Sequence, residues 1–201
     1  MNDVAAILLA AGQSRRMGAF KPLLPFGHKT VIESCLDYLH AGGVENIVAV
    51  LGHRADEIRG YIKNTTIAIN SEPDSEMGAS IAVGVQALPA TAKAVVIALV
   101  DHPAVPASTV STLIEEWKRG ARIVIPTWQN RGGHPVLIDL SFKDQLLNLD
   151  STGGLRQLFK THQAHVKRLP VDSPFVARDM DTWDDYLALH EEAFGHPPPD
   201  R

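Results

Sequence analysis

The sequence predicts a three-layer α/β sandwich whose central sheet is mostly parallel and Rossmann-like. Apolar runs such as Val4–Ala10 and Lys93–Val100 are rich in β-branched residues and have no polar face, which is typical of strands covered on both sides. Amphipathic helical patterns alternate with these runs, as repeated strand–helix units do. No internal repeat or linker interrupts this order, so we expect one domain over residues 1–194. The proline-rich tail, residues 195–201, is expected to be disordered.

Seven segments have strand patterns. Most are short apolar runs bounded by polar or turn residues, and the sixth could run antiparallel to the others. The predicted strands, in chain order, are Val4–Ala10, Glu45–Leu51, Thr66–Asn70, Lys93–Val100, Arg122–Pro126, Pro135–Ile138 and His165–Leu169.

Seven further segments have helical patterns. The first ends at Gly42–Gly43, and the fourth has a proline in its first turn, where no backbone N–H is needed. Most of the remaining segments have apolar residues at helical spacing, and one is a polar segment that follows a strand. The predicted helices, in chain order, are Thr30–Ala41, Ala55–Lys63, Gly78–Leu88, Pro106–Arg119, Ser141–Leu147, Gly153–Thr161 and Thr182–Ala193.

Composition excludes several classes of protein. The chain has 201 residues, of which 45% are hydrophobic and 21% charged, as in ordinary globular proteins. A net charge of −4 argues against a broad polyanion-binding surface, and 6% aromatic residues argue against a base-stacking nucleic-acid binder. We therefore expect no nucleic-acid partner, and any anion site must be local.

The single cysteine, Cys35, excludes an intramolecular disulfide and fits a reducing compartment. It lies on the apolar stripe of the first predicted helix, so we place it in the core. No apolar run approaches the roughly 18–20 residues of a membrane span. The apolar N-terminal stretch lacks the preceding cationic region of a signal peptide. We expect a cytoplasmic protein with no membrane partner.

The loop after the first predicted strand carries the strongest indication of function. It contains Gly12 and Gly18, which allow close approach of a ligand, together with the cations Arg15, Arg16 and Lys21. A small-residue, cationic loop at the carboxyl end of a buried strand suits phosphate binding. The alternative is a solvated basic loop whose arginines pair with surface acids. The spacing matches neither a P-loop nor a G-x-G-x-x-G motif, which disfavours a P-loop NTPase and a dinucleotide-binding dehydrogenase.

Acidic residues follow two later segments. Asp101 comes directly after the strand Lys93–Val100, where a carboxylate is costly unless a partner such as Mg²⁺ pairs with it. Alternatively, Asp101 caps the following turn. Asp179 and Asp181 have i, i+2 spacing, so in extended chain they would face one shared cation. Asp181 or Thr182 could instead cap the final helix.

Two further loops are candidate ligand contacts. The polar segment Asn70–Ser80 opens a helix with small residues, and that N-terminus could receive an anion or a base edge. Gly132–Pro135 is a flexible turn in which His134 contacts a ligand or caps the turn. His162 and His165 fall across a helix–strand junction, and we treat them as surface residues.

At these motifs the chain resembles the MobA-like NTP transferase family, the nucleotidyltransferases related to molybdenum cofactor synthesis. The resemblance covers Val4 to about Ala193 and is most specific in LAAGQSRRMG, residues 9–18, with Lys21 following. Asp101–Pro103 resembles the family's Asp-Gln-Pro motif, with His102 in place of glutamine. Other matching segments are Gly78–Ser80 (Gly-x-Ser), Gly133–Val136 (Gly-His-Pro-Val) and Asp179–Thr182 (Asp-x-Asp-Thr), where Trp183 replaces the usual proline.

The resemblance implies a nucleotidyltransferase with the nucleotide-diphospho-sugar transferase type of fold. It implies that the backbone of Leu9, Ala10, Ala11 and Gly12, together with Ser80, holds the base and ribose, and that Gly78 is also a binding residue. Arg15, Arg16 and Lys21 would hold the phosphates, with Arg15, Lys21 and Asp101 in the catalytic set. Asp101 and Asp181 would hold Mg²⁺, and His134 would contact the ligand.

The LAAG form resembles the cytidylyl-transferring branch, because guanylyl-transferring relatives more often have LAGG. The implied reaction is Mg²⁺-dependent transfer of CMP from CTP to the phosphate of a molybdopterin-type acceptor, with release of pyrophosphate. A molybdoenzyme or its chaperone is a candidate partner. The alternatives are guanylyl or other nucleotidyl transfer to a different phosphorylated acceptor, and a non-catalytic protein that binds the cofactor for maturation of another enzyme.

Overall fold

The computed structural model describes residues 3–14, 16–52, 54–72, 76–149 and 153–199. In these residues the strands are β1 (Val4–Ala10), β2 (Pro25–Phe26), β3 (Lys29–Thr30), β4 (Asn46–Leu51), β5 (Thr66–Ile69), β6 (Ala94–Leu99), β7 (Ile123–Trp128), β8 (Arg131–Gly132), β9 (Val136–Asp139) and β10 (Val166–Pro170). The α-helices are α1 (Val31–Ala41), α2 (Ala55–Ile58), α3 (Met77–Gln86), α4 (Ala107–Lys118), α5 (Lys143–Leu147), α6 (Gly154–Thr161) and α7 (Trp183–Phe194).

The main sheet has the strand order β10-β7-β9-β6-β1-β4-β5, with the short β8 paired to β7. β1 lies in the interior of the sheet and is parallel to β6 on one side and to β4 on the other. β9 is inserted between β6 and β7 and is antiparallel to both. The structure confirms the predicted α/β sandwich with its mostly parallel sheet, and it confirms the antiparallel direction of the sixth predicted strand.

Two apolar layers cover the two faces of the sheet. Alternate residues of β1 divide between them, with Leu8 in the layer under α1, α2 and α4 and Ile7 in the layer under α3, α5 and α6. Because both sides of each central strand are buried, its sequence needs no polar positions. Cys35 is fully buried in the first layer, which confirms its predicted place in the core. Burial raises the pKa of its thiol.

A third apolar cluster joins the end of the chain to the loop after β1. Met17 and Phe26 pack with Met180 and Tyr186, so the segment before α7 lies against the segment before α1. The Tyr186 hydroxyl donates a hydrogen bond to the carbonyl oxygen of Pro25, 2.6 Å away. This packing brings residues 179–182 to the edge of the sheet where β1 ends.

Helix α2 is shorter than predicted. It ends at Ile58, whereas the sequence pattern predicts a helix to Lys63. Gly60 lies in the missing part, and glycine is a poor helix former because ordering its backbone costs more entropy. The residues after Ile58 form a turn. Among the described residues, no helix combines the length and the apolar character that a membrane crossing requires.

Candidate functional site

The carboxyl ends of β1 and β6 form the floor of a cavity of about 320 Å³. The two strands are parallel neighbours with Leu9 opposite Leu99, so the segments that follow them leave the sheet side by side. The cavity is lined by residues from five regions of the sequence: Leu9, Ala11, Gly12, Ser14, Arg16, Lys21, Asn70, Glu72, Met77, Ser80, Leu99, Val100, Asp101 and Asp181.

Two local contacts hold the loop after β1 in place. Ser14 has a positive φ of 51°, and its hydroxyl accepts a hydrogen bond from the Lys21 backbone N–H at 3.4 Å. Gly52 supports the start of the loop, because a Cβ there would lie 2.6 Å from the Ala11 carbonyl oxygen. Arg15, predicted to bind phosphates, lies outside the described residues.

Lys21 forms the electrostatic centre of the cavity. Its side chain is only 9% exposed, and Nζ lies 3.2 Å from Oδ1 of Asp181 and 3.8 Å from Oδ2 of Asp101. Arg16, which is largely exposed, places Nη2 2.7 Å from Oδ2 of Asp181. The structure thus brings together the cationic loop and both acidic segments. Thr182, not Asp181, caps α7, which leaves the Asp181 carboxylate to face the two cations.

Asp101 has a carboxylate oxygen that could bind a cation. Its backbone carbonyl accepts a hydrogen bond from the Met180 N–H, which ties the two acidic segments together. Oδ1 is buried and accepts no hydrogen bond from the described residues, although Nε2 of His102 lies 3.7 Å away. A buried carboxylate oxygen without a hydrogen bond is costly unless a cation binds it. Across those same residues, no three acidic, histidine or cysteine side chains form a metal site. Asp101 and Asp181 therefore suit a hard cation that shares its remaining positions with a ligand's oxygens.

A buried polar pair also lines this cavity. Asn70, directly after β5, donates a hydrogen bond from Nδ2 to the Ser80 hydroxyl at 2.9 Å, and its Oδ1 accepts one from the Glu72 N–H. Both Asn70 and Ser80 are buried. Ser80 belongs to the predicted set, whereas sequence reasoning assigned no role to Asn70. Its position at the end of a strand beside β4 is the signal that could have found it.

The remaining predicted nucleotide contacts divide between two locations. Leu9, Ala11 and Gly12 line the cavity. Ala10 belongs to the apolar layer on the other face of the sheet. Gly78, in the first turn of α3, lines a second cavity.

This second cavity, about 840 Å³, adjoins the first and shares Arg16, Met77, Leu99, Asp101 and Asp181 with it. The shared residues make the two acids the boundary between two compartments. His102 and His134 line the second cavity, so the predicted ligand histidine lies on this side. Asp179 lines it as well.

The turn that carries His134 is fixed by close backbone packing. Its peptide bond to Pro135 is cis, and its N–H donates a hydrogen bond to the Val176 carbonyl oxygen at 2.8 Å. A Cβ at Gly133 would lie 2.0 Å from that same oxygen, so only glycine fits. The His134 ring lies 5.7 Å from the His102 ring, and its Nδ1 is buried without a partner among the described residues. Burial, followed by the neighbouring His102, lowers the pKa of His134 to about 4.

Three arginines also line the second cavity: Arg131, Arg156 and Arg168. Sequence reasoning missed them, because they are dispersed over 38 positions and share no motif spacing. Only the strand order, which places β8 and β10 beside β7, and the packing of α6 bring them to one surface.

Comparisons with known proteins show the family of the chain. The sequence model of the MobA-like NTP transferase domain matches residues 6–169. Nicotine blue oxidoreductase of Paenarthrobacter nicotinovorans is 28% identical over 190 residues, covering 89% of this chain and 92% of that protein. Molybdenum cofactor cytidylyltransferase of Escherichia coli K12 is 25% identical over 195 residues, covering 95% and 97%.

Solved structures of other proteins are similar to this chain over most of its length. Rv0371c of Mycobacterium tuberculosis H37Rv has a TM-score of 0.85 at 28% identity, covering 94% of this chain and 98% of that one. A structure of Rv0371c in complex with manganese gives a TM-score of 0.82 at 26% identity, covering 94% and 99%. The fold is that of the nucleotidyltransferases, as predicted. By the match of residues 6–169 to the domain model, this chain belongs to the MobA-like family of NTP transferases.

Proposed function

We propose that this protein transfers CMP from CTP to the phosphate of a molybdopterin-type acceptor and releases pyrophosphate. The observation that carries the proposal is the meeting of Lys21 with Asp101 and Asp181 in one cleft. A triphosphate needs cations around its oxygens, and Lys21 and Arg16 supply them. The two carboxylates supply the complementary site for a divalent cation.

The nucleotide would occupy the smaller compartment. The backbone of Leu9, Ala11 and Gly12 forms one wall, and the paired Asn70 and Ser80 side chains form the other. These polar groups are buried and fixed in place, as a site for a base and ribose requires. The acceptor would occupy the larger compartment, so that its phosphate approaches the nucleotide at the boundary formed by Asp101 and Asp181.

The chemistry requires no general base. A phosphate monoester is already anionic at neutral pH, so its oxygen can attack the α-phosphorus of CTP directly. The bond between that oxygen and the α-phosphorus forms while the bond to the β-phosphate oxygen breaks, and pyrophosphate leaves. Lys21 and Arg16 would neutralise the charge that develops on the pyrophosphate. Mg²⁺, when bound at Asp101 and Asp181, would polarise the phosphoryl oxygens and align them with the acceptor.

The choice of CTP is supported by the LAAG segment and by the similarity to a cytidylyltransferase. Guanylyl transfer to a different phosphorylated acceptor is the alternative within the same chemistry. A thermal-shift screen of CTP, GTP, UTP and ATP with Mg²⁺ separates the two, because a ligand that binds the folded state raises the melting temperature. We expect the largest shift with CTP, and a larger shift with GTP would overturn the base assignment.

Turnover is tested by pyrophosphate release after mixing the protein with CTP, Mg²⁺ and molybdenum cofactor. Lys21→Ala should weaken CTP binding about 10- to 100-fold, the cost of losing a charge-assisted hydrogen bond. Asp101→Asn should lower turnover by at least about 100-fold while the protein stays folded. Lys93→Ala is the matched control, because Lys93 pairs with Asp3 at the opposite edge of the sheet. Near-wild-type turnover of Asp101→Asn would remove the metal assignment.

A second candidate function follows from the similarity to nicotine blue oxidoreductase. An oxidoreductase on this scaffold would need a nucleotide-containing electron carrier in the same cleft. Adding NADH and NADPH to the thermal-shift screen tests this directly. Stabilisation by a nicotinamide dinucleotide without pyrophosphate release from CTP would favour it over nucleotidyl transfer. If CTP stabilises the protein and no pyrophosphate appears with the cofactor, a non-catalytic cofactor-binding role would be favoured.

A further inference from the structure

The larger compartment is cationic at the end that lies away from the two acids. A third cavity, about 600 Å³, adjoins the second and shares Arg156, Phe159 and Arg168 with it. The first cavity instead shares Asp101 and Asp181 with the second. The acidic boundary and the arginines therefore lie on different sides of the second cavity. The third cavity also has Lys160 in its wall, and none of the described residues that line it is acidic.

The fold assembles this end from three elements. Arg131 is on β8 and Arg168 is on β10, and both strands pair with β7. The position of a Cβ on Gly132 would be 3.6 Å from Nη1 of Arg168, so this guanidinium lies against the strand that carries Arg131. Arg156 comes from the first turn of α6. We call Arg131, Arg156 and Arg168 the arginine cluster.

The arginine cluster is available to a ligand. All three residues are exposed. Across the described part of the chain, none of the three has a carboxylate within ion-pair distance. Other surface arginines are paired, such as Arg59 with Asp56 and Arg119 with Glu116. Guanidinium groups that share one cavity and have no ion-paired carboxylate repel each other, and an anion bound between them relieves that repulsion.

We propose that the arginine cluster binds a second anionic group of the acceptor, at the end away from its attacking phosphate. The inference rests on the proposed function, since it assumes that the larger compartment holds the acceptor. Guanidinium groups form forked hydrogen bonds to phosphates, carboxylates and other oxyanions, so the chemical class is an oxyanion. Binding there would turn the acceptor so that its reactive phosphate points to Asp101 and Asp181. The cluster thus selects acceptors that are anionic at both ends.

The binding part of the proposal is tested by NMR of the arginine side-chain Nε–Hε groups during titration with inorganic phosphate. The titration is run with CTP and Mg²⁺ present, so that the nucleotide compartment is filled. We expect saturable shifts of the resonances of Arg131, Arg156 and Arg168. The double variant Arg156→Gln/Arg168→Gln should weaken phosphate binding about tenfold. The matched control is Arg59→Gln/Arg119→Gln, which has the same net charge as the Arg156→Gln/Arg168→Gln variant. It should bind phosphate as the wild type does.

The acceptor part is tested by steady-state kinetics of pyrophosphate release. In Arg156→Gln/Arg168→Gln we expect KM for the acceptor to rise about tenfold, with KM for CTP unchanged. Equal changes in both KM values would overturn the assignment, and so would phosphate titrations that leave the cluster resonances unmoved. Failure of the proposed function is distinguishable, because then CTP would neither shift the Arg16 resonance nor yield pyrophosphate. In that case cluster shifts with phosphate alone would show a free-phosphate site and overturn the acceptor role.

Discussion

Acidification should destabilise this protein through His134. Burial and the nearby His102 lower the pKa of His134 from an ordinary value of 6.5 to about 4 in the folded protein. Below pH 6.5 the unfolded chain binds a proton that the folded protein does not bind. The contribution of His134 to stability is therefore fully present above pH 6.5 and is lost as pH falls towards 4.

The size of the effect follows from the two pKa values. Between pH 7.5 and pH 5.0, a group with pKa 6.5 unfolded and about 4 folded lowers the free energy of unfolding by about 2 kcal/mol. The total for a domain is only about 5–15 kcal/mol, so the loss is measurable. Hydrogen bonding with the backbone of Ile97 acts in the opposite direction, and burial outweighs it.

Urea unfolding of the wild type and of His134→Gln across this pH range isolates the contribution. Both proteins contain the other eight histidines and every carboxyl group, so the difference between their curves belongs to position 134. We expect the wild type to lose about 2 kcal/mol more than the variant between pH 7.5 and 5.0. Parallel curves for the wild type and His134→Gln would show that the pKa of His134 is not lowered by folding.

Three further substitutions test the packing that positions the site. Gly84→Ala places a methyl group 2.7 Å from Cγ2 of Ile7, so urea unfolding should show a loss of about 1–3 kcal/mol. Gly133→Ala should destabilise the protein more than Gly84→Ala does, because its methyl group meets the rigid backbone of Val176. It should also weaken acceptor binding. Asp185→Ala removes the capping box of α7 and should cost about 0.5–1 kcal/mol at pH 7. Hydrogen bonds from Thr182 lower the pKa of Asp185 below the ordinary value of an aspartate. The stability difference between the wild type and Asp185→Ala should therefore shrink as pH falls below that ordinary pKa.

The parts of the site that the sequence predicts share one physical origin. A strand buried on both faces has a continuous apolar sequence, and the first polar residues after it mark where it leaves the sheet. In a parallel sheet, neighbouring strands leave at the same edge, so the cations after β1 and Asp101 after β6 must lie near each other. The amino-acid pattern therefore predicts that Lys21 and Asp101 lie at the same edge of the sheet, and the pairing of β1 with β6 makes them neighbours.

Other parts depend on information that no local pattern contains. The position of Asp181 depends on how α7 packs against Phe26 and Met17, which is a tertiary choice. The arginine cluster depends on the strand order, in which antiparallel β9 lies between β6 and β7, and β8 and β10 both pair with β7. The end of α2 at Ile58 depends on the low helix propensity of nearby residues such as Gly60, which the spacing of apolar residues does not report.

The division of the sheet explains how the two halves of the cleft can serve different ligands. The smaller cavity, where we propose that the nucleotide binds, is built on the parallel strands β1, β4, β5 and β6, whose register fixes the loop after β1 near Asp101 and Asn70. The larger cavity, where we propose that the acceptor binds, is lined from β7, β8 and β9, the cis-proline turn, β10 and α6. Of the described residues, only Asp101, Asp181 and three neighbours line both cavities. On this proposal, changes in the β7–β8 hairpin or in α6 would alter acceptor binding while Arg16 and Lys21 keep their positions beside the nucleotide.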